Sequence, residues 1–235
     1  MLKVYGVEHL VYVLVTTIHL AILMVLLKLK VKSDKGQRIM FMILGIIGMI
    51  SVTLNRIAQF IDEDYNIFYL IPDSFCGMSG LVLGIGLTFF KKDNIVLHAV
   101  WLIALVGMIS TYAYPDFIEK SDSLFRFATI TSFWHHTVTL FNLIAIFIFN
   151  YVHLTYKKAW VQIPGVILYI ALGYFLIYVG GVKSAFYLNT PAIKGTPLNF
   201  YIMYPMYVVV YASVLLLLEV YRKKHINQEL IIKEA

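Results

Sequence analysis

Charge is what this chain is shortest of. Only 14% of its 235 residues are Asp, Glu, Lys or Arg, while 60% are hydrophobic. A soluble domain carries about 25% charged and about 45–50% apolar residues, so a water-facing globule is excluded. Cysteine is nearly absent as well, with Cys76 standing alone. That rules out an internal disulfide and a cysteine-based zinc centre. Metal-ligand spacings such as HExxH are missing, so no metal and no other cofactor is expected. Gly77, Gly80, Gly84 and Gly86 have no preceding strand and no following Lys-Ser/Thr, which excludes a phosphate loop and favours close helix packing. The formal charge of +6 does not point to nucleic acid, because the basic residues sit in short clusters between apolar runs, where they act as topology signals.

What the chain does have is long apolar runs. Seven of them, near residues 8–29, 39–61, 69–90, 95–113, 126–152, 161–181 and 200–221, reach the roughly twenty helical residues that a bilayer crossing takes. They lack the apolar–polar alternation of barrel strands. The expected fold is therefore all-α: a polytopic membrane protein, one seven-transmembrane-helix bundle over residues 1–235. The first run has no small-residue cleavage site before its basic end, and it is read as a retained span.

Connecting charges set the orientation. One side carries Lys28, Lys30, Lys32, Lys35, Arg38, Lys91, Lys92, Lys157, Lys158, Arg222, Lys223, Lys224 and Lys233. The other has only Lys3, Lys120, Arg126, Lys183 and Lys194, beside Asp62, Glu63 and Asp64. The positive-inside rule then puts the N-terminus outside and the C-terminus in the cytoplasm of a multi-pass protein of the cell membrane.

With that orientation, polar residues from several spans fall at one depth in the outer half of the membrane. Cys76 and Arg56 lie roughly 10 Å below the outer surface and His136 roughly 15 Å, at 1.5 Å per residue. Glu8 and His9 open the first span on that side, and Tyr114, Pro115 and Asp116 close the fourth. Arg56 is the costliest, at about 2.5–3.5 kcal/mol or more for an arginine inside a span, so it should face a cavity or a partner rather than snorkel. Asn55 and Gln59 accompany it. His135 and His136 point about 100° apart on a helix, so only one of them can face a given pocket squarely. Such a histidine is either a helix–helix hydrogen bonder or a general base. Cys76 is either a small buried hydrophobe or a nucleophile, which needs a base or cation to form the thiolate. Asp73 and Ser74 are candidate caps of the third helix or contacts to interfacial water.

Several stretches in this order carry a resemblance. They are Gly6-Val7-Glu8-His9-Leu10, Asn55-Arg56, Ile71-Pro72-Asp73-Ser74-Phe75-Cys76, Tyr114-Pro115-Asp116-Phe117, Phe125-Arg126-Phe127, Trp134-His135-His136 and Tyr204-Pro205. Through nearly its whole length the chain resembles the YwaF-like family of bacterial integral membrane proteins, which is related to the eukaryotic transmembrane protein 164. The resemblance implies a membrane-embedded acyltransferase, as in the eukaryotic branch, in which a cysteine and a histidine move fatty acyl chains between lipids; an acyl hydrolase with water as acceptor would need the same parts. On this reading Cys76 is the nucleophile and His136 the base. Arg56, Asn55, Gln59, His135, Ser74, Asp116, His9 and Glu8 line the substrate site. Two positions depart from the family pattern: Ser74 stands where a histidine is usual, and the segment near Lys183 and Ser184 lacks an Asn-Tyr pair. The expected partner is a membrane phospholipid or lysolipid, the expected state a monomer, and residues 182–200 a candidate lid. Two other readings stay open, a non-catalytic binder or transporter of a small anionic or lipid ligand, and an assembly or sensor subunit without a ligand.

Overall fold

A computed structural model describes residues 5–115, 118, 123–192 and 195–234, with 222–234 as backbone only. Seven helices follow one another among these residues: α1 Val7–Lys30, α2 Asp34–Asp62, α3 Phe75–Phe89, α4 Ile95–Ala113, α5 Phe127–Ile148, α6 Gln162–Tyr178 and α7 Phe200–Glu234. Short 3-10 turns at Ile67–Leu70 and Tyr156–Val161 precede α3 and α6. No strand occurs among the described residues. Helix starts follow the capping residues in the sequence. Ser33 accepts from Gly36 N at the head of α2, and Asn94 accepts from Leu97 N at the head of α4, each satisfying one otherwise orphaned backbone donor.

Six of these elements are long and apolar enough to cross a membrane: α1, α2, α4, α5, α6 with its preceding turn, and α7 through Tyr221. The chain is a polytopic helical membrane protein. The apolar run 69–90 does not form one continuous helix. It breaks over 71–74, and α3 keeps only 15 residues, about 22 Å at 1.5 Å per residue against a hydrocarbon core of about 30 Å. The cause is local. Pro72 has no N–H and holds Ile71 extended, at φ −85° and ψ 131°. Asp73 turns away to pair with Arg56, and Ser74 accepts from Gly77 N to start the helix afresh. The run 126–152 likewise ends as helix at Ile148, where Asn150 adopts φ 48°.

Contacts fix which helix ends lie together. At one end, His9 meets the Tyr112 carbonyl, Arg126 pairs with Asp62, Lys183 with Glu63, and Asn66 Nδ2 donates to the Gly180 carbonyl. At the opposite, basic end Lys28 donates to the Ile148 carbonyl, Arg38 to the carbonyls of Leu87 and Thr88, and Lys158 to Asp93. Short α3 packs against α2, α4 and α5, while α1 and α7 keep apolar side chains such as Leu14, Val25, Val209 and Leu217 exposed, as suits lipid-facing helices.

Helix α2 meets α3 backbone to backbone. A Cβ on Gly84 would come within 2.9 Å of the Gly45 carbonyl oxygen and 2.7 Å of Met49 Cγ. Because a carbonyl cannot swing aside as a flexible side chain does, Gly84→Ala should force the helices apart, at a cost of about 1–3 kcal/mol. The expected outcome is a thermal midpoint several degrees lower in detergent, and an unchanged midpoint would show that the contact gives way freely.

At the basic end Asp93 joins three segments. Its carboxylate accepts from Lys158 Nζ at 2.8 Å, from the His153 N–H at 2.8 Å and from His98 Nε2 at 2.8 Å. Burial by itself would raise this carboxyl, but the hydrogen bonds from Lys158, His153 and His98 outweigh it and hold it below the usual aspartate range. A depressed carboxyl contributes stability above its unfolded value of about 3.9, and that contribution disappears as pH falls through the lower folded value. Asp93→Asn should therefore unfold at a lower temperature than the parent at pH 7, with the gap closing once both are measured below about pH 4. A gap of constant size across that range would contradict the assignment.

Candidate functional site

The largest polar cost in α2 is met inside the protein. Arg56 is 7% exposed; its Nη1 donates to Asp73 Oδ1 at 2.6 Å and its Nη2 to Asn55 Oδ1 at 2.8 Å. Asn55 Nδ2 then donates to Ser132 Oγ on α5 at 2.9 Å. Four residues from α2, the α3 lead-in and α5 thus form one buried chain of hydrogen bonds. Gln59 lies half-buried one turn beyond Asn55. Arg56 Nε and His135 Nδ1 are buried without a hydrogen-bond partner among the described residues.

The two histidines divide as adjacent helix positions must. His135 faces α3: its Cε1 lies 3.7 Å from where a Gly80 Cβ would stand, so the missing side chain of Gly80 makes room for the ring. His136 Nδ1 donates to the Ser132 carbonyl at 2.7 Å, which puts the proton on Nδ1 and the imidazole lone pair on Nε2. The ring centroids are 4.1 Å apart. His9 is fixed the other way, accepting from Tyr5 N at Nδ1 and donating from Nε2 to the Tyr112 carbonyl. It ties α1 to the end of α4. Glu8, half-buried, lines a separate small hollow with Tyr12, Val15 and Phe133. Asp116 lies outside the described residues.

Cys76 sits in the first turn of α3, just after the Ser74 cap. Its half-buried sulfur faces α4, with Sγ 3.6 Å from Thr111 Oγ1. There it enters the wall of a cavity of about 490 Å³ between α3, α4, α7 and the residues Tyr187, Ala192 and Leu198. Apolar and aromatic groups dominate the lining, among them Phe75, Tyr114, Tyr187, Tyr204 and Tyr207. Arg56, His135 and His136 do not line it. So the structure brings Arg56, Asn55 and Ser132 together in one hydrogen-bonded chain between α2 and α5, and opens Cys76 toward the α4–α7 side. No group of three or more His, Cys, Asp or Glu side chains suited to a metal ion occurs among the described residues.

Sequence reasoning missed Asp73 as the partner of Arg56, treating it as a cap, and it missed Thr111 and Gly107 beside the thiol. A carboxylate 17 positions from a buried arginine was a usable signal, since a charge in a span needs its counter-charge. For Thr111 and Gly107 the sequence carried no comparable signal.

The pairing has a measurable consequence. Removing Arg56 alone strands the Asp73 carboxylate in a largely buried position, and breaking a buried pair costs about 3–5 kcal/mol. Arg56→Met should therefore lower the unfolding midpoint strongly, and Arg56→Met with Asp73→Asn should recover much of the loss. Equal midpoints for the single and double variants would show that the two charges are not coupled.

No curated protein and no solved structure matches this chain. A family model described as the TMEM164 family matches residues 4–221, nearly the whole of the helical bundle described above. The chain belongs to the TMEM164 family.

Proposed function

We propose that this protein is a lipid acyltransferase of the membrane, or an acyl hydrolase where water is the acceptor, with Cys76 as nucleophile and His136 as base. The observation that carries the reading is the lone thiol, held in a helix's first turn and opening into an apolar cavity of about 490 Å³. A helix N-terminus favours the thiolate, and an apolar chamber suits an acyl chain. The seven apolar helices all cross the bilayer in this reading, α3 enclosed by its neighbours, with the basic end in the cytoplasm and the chamber in the outer leaflet.

The chemistry balances as follows. His136 Nε2 takes the thiol proton; the thiolate attacks the ester carbonyl of a phospholipid; the carbonyl–oxygen bond breaks and the imidazolium returns its proton to the departing lysolipid oxygen. A hydroxyl of a lysolipid, or water, then attacks the thioester and frees the thiol. Arg56 is engaged by Asp73, so it acts by fixing the start of α3 and, through Asn55 and Ser132, the His136 turn of α5. Asn55, Ser74 and His135 belong to the same support. Gln59, Glu8 and His9 shape the access side. The protein works as a monomer on membrane phospholipid or lysolipid.

A second reading, a binder that holds a lipid without reacting, draws on the lining of the Cys76 cavity, which is mostly apolar and aromatic. Intact mass of the purified protein after incubation with phospholipid separates the two. The acyl-transfer reading expects an acyl-sized addition that hydroxylamine removes, that is absent in Cys76→Ala, and that forms about 10²–10⁴-fold more slowly in His136→Ala. Lipid that co-purifies equally with the parent and with Cys76→Ala, with no covalent addition, would establish the binder instead.

A further inference from the structure

We infer that Thr111, on α4, is the group that aims the Cys76 sulfur into the cavity and stabilises its thiolate, with Gly107 providing the recess in which the sulfur lies. The inference deepens the acyl-transfer reading and rests on it for the identity of the nucleophile, but its geometry stands separately.

The recess comes first. A Cβ on Gly107 would fall 2.8 Å from Cys76 Sγ, 3.8 Å from Cys76 Cα and 3.9 Å from Cys76 Cβ. Real Cβ atoms do not approach sulfur so closely, so any side chain at 107 would push the thiol out of its position. One turn further along the same face of α4 stands Thr111, with Oγ1 3.6 Å from Sγ, inside hydrogen-bonding range for sulfur. Both residues line the cavity that the sulfur enters. The α4 helix therefore presents to Cys76 a hollow and a hydroxyl four residues apart, which is the spacing that puts two positions on one face.

Proton bookkeeping gives the hydroxyl its role. Thr111 Oγ1 donates to the Gly107 carbonyl at 2.9 Å, so in the resting form its lone pairs are the part that faces sulfur and the thiol S–H donates to it. That bond fixes the direction of Sγ. Once the thiol proton has passed to a base, the sulfur becomes an acceptor only. The Thr111 hydrogen then turns from the Gly107 carbonyl to the thiolate, forming a charge-assisted bond. The carbonyl loses little, because it keeps its bond within the helix ladder. A hydroxyl on a stiff, β-branched side chain suits such a two-position donor. Thr111 thus touches the reacting atom, whereas Gly107 is a positioning residue.

Alkylation of Cys76 by iodoacetamide tests this without any lipid chemistry. A sulfur–carbon bond forms, iodide leaves, and the rate follows the thiolate population and its direction. With one cysteine in the chain, the intact mass reads the reaction directly. Thr111→Val keeps the shape and removes the hydroxyl, and alkylation at a fixed pH near 8 should slow by about tenfold or more, the size of one hydrogen bond to a charged group. Thr111→Ser restores the donor and should return the rate to within a few-fold of the parent. Gly107→Ala should also slow the reaction, through displacement of the sulfur. Should Thr111→Val not fold, Thr111→Ala against Thr111→Ser gives the same comparison. A Thr111→Val rate equal to or above the parent's overturns the inference. Slower alkylation of Thr111→Val, alongside a parent protein that forms no acyl adduct, would leave the thiol cradle standing and remove the acyl-transfer reading, so the two can fail separately.

Discussion

A buried ion pair organises this molecule. An arginine inside a membrane helix is bearable only where its charge is met, and Arg56 is met by Asp73, 2.6 Å away on the segment that leads into α3. Because Asp73 must reach α2, the chain cannot run straight from the Ile67–Leu70 turn into a long third helix. It bends, and Ser74 starts α3 afresh. The position of Cys76 follows from that restart. The same Asp73 accepts from Phe186 N through its backbone carbonyl at 2.7 Å, drawing the segment after α6 over the head of α3. Asn55 carries the connection on to Ser132 of α5. One counter-charge therefore determines where a helix begins, what crosses above it and which neighbour it is bonded to.

Close approach is the second constraint, and glycine makes it feasible at three levels. Gly45 and Gly84 let α2 and α3 touch backbone to backbone. Gly80 leaves room for the His135 ring and Thr139. Gly107 leaves room for the Cys76 sulfur. In lipid there is no hydrophobic drive between helices, so association rests on such packing and on polar contacts. Of the buried polar side chains of α5, Ser132, His135, Thr139 and Asn142 lie along one stripe, with His135 and Thr139 against Gly80. The packing that stabilises the bundle and the placement of its chemical groups are thus one arrangement.

Much of this was legible in the sequence, and the part that was not has a definite cause. The run 95–113 is α4 to the residue, because Asn94 caps it and apolar residues fill it. The run 69–90 was legible as apolar but not as broken: hydropathy counts Tyr69, Leu70 and Ile71 as membrane residues, while Pro72 and the pull of Arg56 on Asp73 decide the backbone. Arg56 stood out as costly and the histidines as candidates; all three are buried, and Arg56 and His136 are hydrogen-bonded. Which histidine faces which helix depends on the rotation of α5 about its axis, and adjacent positions alone do not give that. Thr111 was hidden for a different reason. A threonine in a membrane helix satisfies itself on the carbonyl four residues back, as it does here with Gly107, so nothing in its local sequence marks a second contact across helices.

Helix α3 can be short because α2 grips it at both ends. Arg38 donates to the carbonyls of Leu87 and Thr88 at its C-terminus, where a cation also suits the helix dipole. At the other end Arg56 holds Asp73, a carboxylate just before the N-terminus, which the dipole favours equally. With α4 and α5 alongside, the exposed backbone that a short helix would show to lipid is covered by protein. The depth that α3 leaves unfilled is taken by the segment that follows α6. There Phe186 and Tyr187 adopt φ of 50° and 58°, a left-handed pair that costs about 1–3 kcal/mol per residue unless neighbours impose it. The neighbours are identifiable: Asp73 O accepts from Phe186 N, and Tyr187 O accepts from Phe200 N. Held so, Tyr187 becomes a wall of the chamber into which Cys76 opens. Phe75 and Cys76, the first two residues of α3, line the same chamber, so the point at which α3 restarts sets where the thiol meets it.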